Sequence, residues 1–406
     1  MKKAIVLAGG FDQIALIKEL QSRGYYCILI DYFQSPPAKN VADQHIIGST
    51  LDEEFVKKIA SQEKADLIVT ACTDQALLTM AKVSQQLGLP SYIDYSTALN
   101  VTNKSYMKDI LLNHQIPTAK YLHISNEEDI DKISDLEFPL IVKPADCNSS
   151  KGVKKVDFAE ELLPEIRNAL KLSRSHTAIV EEFKQGRELS ADLFIENGVA
   201  KLLSVTQSNK IPHNNGAFTI MQSQYPVSDD NLNEKITLIG QQIASAFNLK
   251  NTPLLIQLIH SDPELYVIEF SARMGGGTKY ELIKQISGVD IMKEYVNLVL
   301  GDRVKIEPVL SKKYINLNYL YCRPGTLASF ANFEENRNNA TIEDFFLYKT
   351  PGMTFDKVEN SGDRAAGVLL IADSSEELER KTKDYDNSLK VLDPSGNDLL
   401  IHNLIQ

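Results

Sequence analysis

Residues 254–277, LLIQLIHSDPELYVIEFSARMGGG, put polar and charged side chains where an apolar β-hairpin should bury only hydrophobic ones. Residues 254–260 and 265–272 are β-prone runs, and Ser261-Asp262-Pro263-Glu264 between them is turn composition, so the segment is expected to form a hairpin. Strand alternation sets Ile268, Phe270 and Ala272 on one face and Glu269, Ser271 and Arg273 on the other. A loop of three or five residues brings Gln257 opposite Glu269 on that second face, whereas a four-residue loop puts it on the other side. In the first case one face carries two metal-capable oxygens and a guanidinium. Gly275-Gly276-Gly277 follows, where backbone can approach a ligand closely. Taken locally, an amphipathic edge with Glu269 and Arg273 as a solvated ion pair is the alternative.

A chain of 406 residues exceeds one ordinary core, so two or three domains are expected in an intracellular globular protein. The 43 Lys and Arg against 54 Asp and Glu give a net charge of -11, which disfavours a general nucleic-acid binder and leaves room for a local basic pocket. Cys27, Cys72, Cys147 and Cys322 are far apart with no CxxC, so neither a zinc site nor a disulfide framework is read, and reduced cytoplasmic thiols fit best. No segment approaches the roughly 20 apolar residues of a membrane span, so no membrane partner is expected.

The first ninety residues alternate strand and helix: AIVLAG, an amphipathic stretch to Arg23, YCILIDY, a Pro-rich turn, a helix from Asp52, LIVTACT, a further helix and LPSYI as a last strand. This pattern predicts a parallel, doubly wound α/β unit over residues 1–95. Gly9-Gly10 after the first strand, with Asp31 closing the second, lacks the G-x-G-x-x-G spacing of a dinucleotide site and reads as a tight strand-to-helix turn. From about Asn100 the character changes. A helix is expected near 104–114, then a largely antiparallel module punctuated by Pro139, Pro144 and Gly152. Residues 281–300 return to helical periodicity ending at Gly301. Beyond it the chain reads as a smaller α+β appendage, residues 302–406, with NLNYLYC, FLYKTPG and GVLLIAD as strands and a helix from Ser375 to about Tyr385.

Candidate chemistry lies in four further places. Lys143 ends the strand Leu140-Ile141-Val142 beside a polar loop, where its ammonium can meet a phosphate, although alone it reads as a snorkelling lysine. Asn148-Ser149-Ser150-Lys151-Gly152 is a small-residue turn able to cover a polyphosphate through backbone N–H groups, without the Walker A pattern. Glu181-Glu182-Phe183 followed by Gln185-Gly186 and Glu188 forms a strand-to-strand hinge. It can offer main-chain groups to an adenine edge and a carboxylate to ribose hydroxyls. The Asn-rich stretch 207–216 includes His213, a candidate substrate contact, and the seven histidines show no HExxH spacing.

In this order, a Lys at the head of a helix (Lys104), a strand-terminal Lys143, a small-residue loop, the acidic hinge VEEFKQGRE and a hairpin ending EFSARMGGG, the motifs resemble the ATP-grasp superfamily from the first strand to about Gly301. The similarity is greatest to L-amino acid ligases that make dipeptides, with related pattern in the carbamoyl phosphate synthetase large chain and D-alanine:D-alanine ligase. The resemblance implies an ATP-grasp module over 96–301 with a lid subdomain at about 117–184, and a C-terminal α+β domain. It implies that Lys104 and Lys143 hold ATP phosphates under the 148–152 loop, that Glu181, Glu182 and Phe183 line the adenine slot, and that Glu188 holds the ribose. Gln257, Glu269 and Ser271 would ligate magnesium or manganese. Arg273 would steady the transferring phosphoryl group, and Gly275, Gly276, Gly277 and His213 would meet substrate. Gln257 and Ser271 stand where Glu and Asn are usual, so Glu269 must dominate the metal.

The implied activity is an ATP-dependent ligase joining a small-molecule carboxylate to an amine through an acyl phosphate, the substrates most simply being amino acids and the protein a possible homodimer. Joining an amine to a sugar acid or a secondary-metabolite carboxylate is the neighbouring alternative. A NAD(P)-dependent oxidoreductase built on the N-terminal unit, or a non-catalytic nucleotide-binding module, represents a different class.

Overall fold

The computed structural model describes residues 1–147, 151–211, 219–227 and 230–405. The N-terminal unit is a four-stranded parallel sheet in the spatial order Gln44–Ile47, Tyr25–Asp31, Lys2–Leu7, Leu67–Val69. Both faces are covered because the first strand is apolar at every buried position. Ile5 and Leu7 pack with Val56, Ala60 and Leu77 on one side, and Ala4 and Val6 with Leu16, Ile17 and Leu20 on the other. Two details differ from the sequence expectation. The half-exposed Gln44–Ile47 is a strand without apolar alternation to announce it, and LPSYI is irregular chain, leading into the helix Tyr95–Thr102.

A second sheet, fully antiparallel, has the order Tyr121–Ile124, Ala178–Glu182, Leu140–Pro144, Lys154–Val156. Its alternation places Leu140, Val142, Ala178 and Val180 in a small core with Ile166 of the helix Ala159–Leu172. The opposite face therefore carries Ile141, Lys143, Ile179 and Glu181.

The largest sheet has eight strands in the order Glu264–Ser271, Thr252–Ser261, Arg187–Glu196, Val199–Lys210, Ile220–Tyr225, Tyr314–Leu320, Ala366–Ala372, Asp344–Leu347, every neighbouring pair antiparallel. Three strands after Gly301 thus extend the central sheet, while four others form two small two-stranded sheets, and the C-terminal residues keep a core of their own. Ile315 pairs with Tyr225, and that seam carries the ladder across. Along Arg187–Glu196 the odd positions Leu189, Ala191, Leu193 and Ile195 enter the core. The even positions Glu188, Ser190 and Asp192 are thereby turned to the other face.

The hairpin departs from simple alternation. Ser261 pairs with Glu264, so the loop is only Asp262-Pro263, shorter than the four-residue turn read from composition. By parity a two-residue loop would set Gln257 against Ile268. A bulge between Gln257 and Leu258 shifts the register, and Gln257 pairs with Glu269. Leu265 and Val267 before the bulge and Phe270 and Ala272 after it enter the same core. Ile268 does not share the Phe270 face as alternation predicted; it lines a cavity beside Glu269.

Candidate active site

Two cavities meet in the angle between the second sheet, the central sheet and the N-terminal unit. The first, about 860 Å³ of open space, is walled by Ile141, Lys143 and Glu181 of the second sheet and by Gln257, Ile259, Ile268 and Glu269 of the hairpin. The second, about 2260 Å³, runs from the strand ends of the N-terminal unit to the C-terminal strands. Gln257 and Glu269 line both.

Four expected residues converge on the first cavity with their charges paired. Lys104 opens the helix Lys104–Asn113; its backbone N–H donates to Ala145 O, and its ammonium sits 2.6 Å from Cys147 O and 3.2 Å from Glu269. Lys143 reaches Glu181 at 2.5 Å. Glu181, expected at the adenine slot, lines this cavity and is held between Lys143 and Lys108, the latter also at 2.5 Å and fully buried. Burial alone would raise the Glu181 carboxyl, but Lys108 and Lys143 hold it down at about 2. Glu188 lines the cavity and pairs with Lys210.

The hinge also lines this cavity with Glu182, Phe183 and Lys184. Its main chain offers less than expected, since Glu182 N donates to Lys120 O and Phe183 N to Pro139 O. Gly152 adopts φ +75, and a Cβ there would lie 2.6 Å from Leu172, so a glycine is required at the base of the turn. Lys151 is exposed. Asn148, Ser149, Ser150 and His213 lie outside the described residues.

At the junction, the Glu269 carboxylate touches Lys104, and the Gln257 amide has no protein partner among the described residues. No group of three or more His, Cys, Asp or Glu able to hold a metal occurs among the described residues. One carboxylate and one amide oxygen, both hard donors, fit a magnesium ion that completes its shell with phosphate oxygens and water. Ser271 hydrogen-bonds Asp74 in a side crevice that Lys104 and Glu269 also line, so it meets Glu269 there rather than in the first cavity.

The second cavity contains the groups that sequence reasoning missed. Asp74, the first residue of the helix Asp74–Leu87, grips Arg273 through both carboxylate oxygens, with the Arg273 Nε bond at 2.7 Å. Burial would raise Asp74, and Arg273 more than offsets it, leaving the carboxyl below its ordinary value. Asp12 opens the helix Asp12–Ser22 and accepts from Gly277 N at 3.1 Å and Thr278 N at 2.8 Å. The amide the Gly-rich turn would show a substrate at position 277 is therefore taken by protein. Gly275 and Gly276 line the cavity against Lys279 and Asp12. Lys279 bonds Ser190 at 2.5 Å and faces Asp192 at 3.5 Å. In the Gly9-Gly10 turn, Gly9 N donates to Asp31 at 2.7 Å, so Asp31 fastens the turn itself.

Two signals for the missed groups were present in the chain. Lys108 stands four residues after Lys104, on the same helix face. Asp12 and Asp74 begin the helices that follow parallel strands, where open α/β sheets place their ligands.

Residues 136–281 match the family described as the ATP-grasp domain. The chain is 24% identical over 320 residues to the L-arginine-specific L-amino acid ligase of Bacillus subtilis, covering 77% of this chain and 76% of that one. In fold it is similar to the L-amino acid ligase from Bacillus licheniformis, with TM-score 0.81 at 19% identity over 97% of this chain and 99% of that chain. Phosphoribosylglycinamide synthetase from Anaerococcus prevotii gives TM-score 0.76 at 19% identity with the same coverage of each chain.

Proposed function

The chain carries an ATP-grasp domain, and from that premise we propose that it is an ATP-dependent carboxylate–amine ligase, joining two amino acids through an acyl phosphate. The observation that supports this reading above others is the meeting of two cavities at Gln257 and Glu269. A nucleotide in the first cavity and a carboxylate in the second would face one another across that pair.

In this reading Lys104 and Lys143 take the nucleotide phosphates, and apolar Ile141, Ile259 and Ile268 flank the base in the first cavity. Glu269 and Gln257 would hold magnesium, which when bound neutralises phosphate charge. A carboxylate is a poor electrophile until its oxygen is phosphorylated. Its oxygen attacks the γ-phosphorus, ADP leaves, and the amine then attacks the acyl carbon, releasing phosphate and a proton. Arg273, fixed by Asp74, is aimed to steady the charge that develops on the phosphoryl oxygens. The pairing of every cation around the first cavity has a consequence for binding. Incoming phosphates compete with Glu181 and Glu269 for Lys143 and Lys104, and because Lys108 and Lys143 share one carboxylate a positive charge is left over to receive them.

Phosphate release from ATP and magnesium across single and paired amino acids tests the proposal. Release with pairs and not with single amino acids is the expected result. Release with one amino acid plus an unrelated acid moves the reaction to that acid, and no release with any carboxylate and amine refutes the ligase reading.

A further inference from the structure

Resting on that ligase reading, we propose that Arg364 holds an anionic group carried by the amine substrate, so that the nucleophile admitted here is an amine bearing its own carboxylate or phosphate. Arg364 lies two residues before the strand Ala366–Ala372 and lines the second cavity. Only 9% of it is exposed. Unlike Arg273, which has Asp74, and Lys279, which has Asp192, it has no carboxylate in ion-pair range among the described residues. A buried guanidinium without a counter-ion is a costly arrangement unless a ligand supplies the charge.

The surroundings hold Arg364 in place without neutralising it. Its guanidinium stacks 3.5 Å from the centre of the Tyr319 ring, and Nε donates to Tyr321 Oη at 3.3 Å. Gly277 gives it room: a Cβ there would fall 2.3 Å from Nη1. Tyr319 in turn donates to Gly277 O at 3.1 Å. The nearby acid, Asp12, is engaged by the amides of Gly277 and Thr278. Nε and one ring face are thus occupied, and the two Nη groups remain for a bidentate anion. Lys349 lines the same cavity, as does Ser208, whose buried Oγ has no hydrogen-bond partner among the described residues. The cavity continues from Arg364 to Gln257 and Glu269. An amine anchored by an anion at the Arg364 end would present its nitrogen toward the junction where the acyl phosphate forms.

The test compares KM for three nucleophiles in the native protein and in Arg364→Gln: an amino acid that supports turnover, its carboxamide, and an aminoalkyl phosphate. The native protein should prefer one of the two anionic forms over the carboxamide by about 50-fold, and Arg364→Gln should bring that ratio close to one. Which anionic form is preferred separates carboxylate from phosphate. Retained ATP affinity, measured by calorimetry, reports that the variant is folded. A native ratio near one, or a ratio unchanged in Arg364→Gln, overturns the proposal. If no pair releases phosphate, the ligase reading itself fails. The anion site is then read by the thermal shift of the native protein with acetate and inorganic phosphate. A shift lost in Arg364→Gln supports the site, and no shift in the native protein refutes it.

Discussion

Replacing Glu181 with Gln removes one negative charge from between two buried ammonium groups, and the structure sets the size of the effect. The carboxylate lies 2.5 Å from both Lys108 and Lys143, and the three residues are at most 5% exposed. Its pKa is held at about 2 against an ordinary 4.5. A carboxyl with a depressed native pKa stabilises the fold fully above its unfolded value and loses that contribution as pH falls through its native value. Here the window is 4.5 down to about 2. At roughly 1.4 kcal/mol per unit, the Glu181 shift alone corresponds to about 3 kcal/mol at neutral pH, against which burial holds the Lys108 ammonium down at about 8. That agrees with the roughly 3–5 kcal/mol observed when one member of a buried ion pair is removed. Glu181→Gln should therefore lose about 3 kcal/mol in urea titration at pH 7, or about 4 °C in Tm for a chain of 406 residues. The acid limb of its stability curve between pH 4.5 and 2 should flatten correspondingly. Nucleotide phosphates would return a counter-charge to Lys143, so ATP should raise the Tm of the variant more than that of the native protein. A variant within about 1 kcal/mol of native at pH 7, with the same acid limb, would refute the argument that these charges depend on one another.

Two further substitutions address transfer. Glu269→Ala should leave ATP bound in calorimetry while ADP formation falls by about a thousandfold or more, because it removes the carboxylate that lines both cavities; native turnover would leave Glu269 as a structural partner of Lys104 alone. Asp74→Ala frees the Arg273 guanidinium from its bidentate partner. A fall in kcat of about a hundredfold with KM for ATP nearly unchanged is expected in steady-state assays, and an unchanged kcat would show that Arg273 needs no positioning.

What the sequence made legible was local. Lys104, Lys143, Glu188, Gln257 and Glu269 could be read because each sits on a short motif whose strand or helix fixes its direction, and all five line the first cavity. The bond from Ser271 to Asp74 could not be read, because alternation gives a residue's face but not its partner, and Asp74 is almost two hundred residues earlier. The partners of Glu181 were hidden for the same reason: its strand face could be read, but the two lysines that occupy its carboxylate come from other elements. That two C-terminal strands continue the central sheet was not legible, because nothing in NLNYLYC or GVLLIAD states which edge they join. Their pairing with Ile220–Tyr225 is a long-range contact that alternation cannot encode. Arg364 entered the second cavity by that route.

The bulge at Ile268 was written in the sequence, though plain alternation hid it. Leu265 and Val267 are buried at odd positions, Phe270 and Ala272 at even and later ones. A regular strand cannot point all four to one core, so the phase must slip between 267 and 270. The slip sends two consecutive side chains, Ile268 and Glu269, to the same cavity. An unbroken strand would bury one of them. The slip therefore sets an apolar wall directly beside the acid at the junction, as a nucleotide requires if its base and its metal-bound phosphates are to be gripped by one strand. It also reconciles a two-residue turn with the Gln257–Glu269 pair, which turn length alone would have separated.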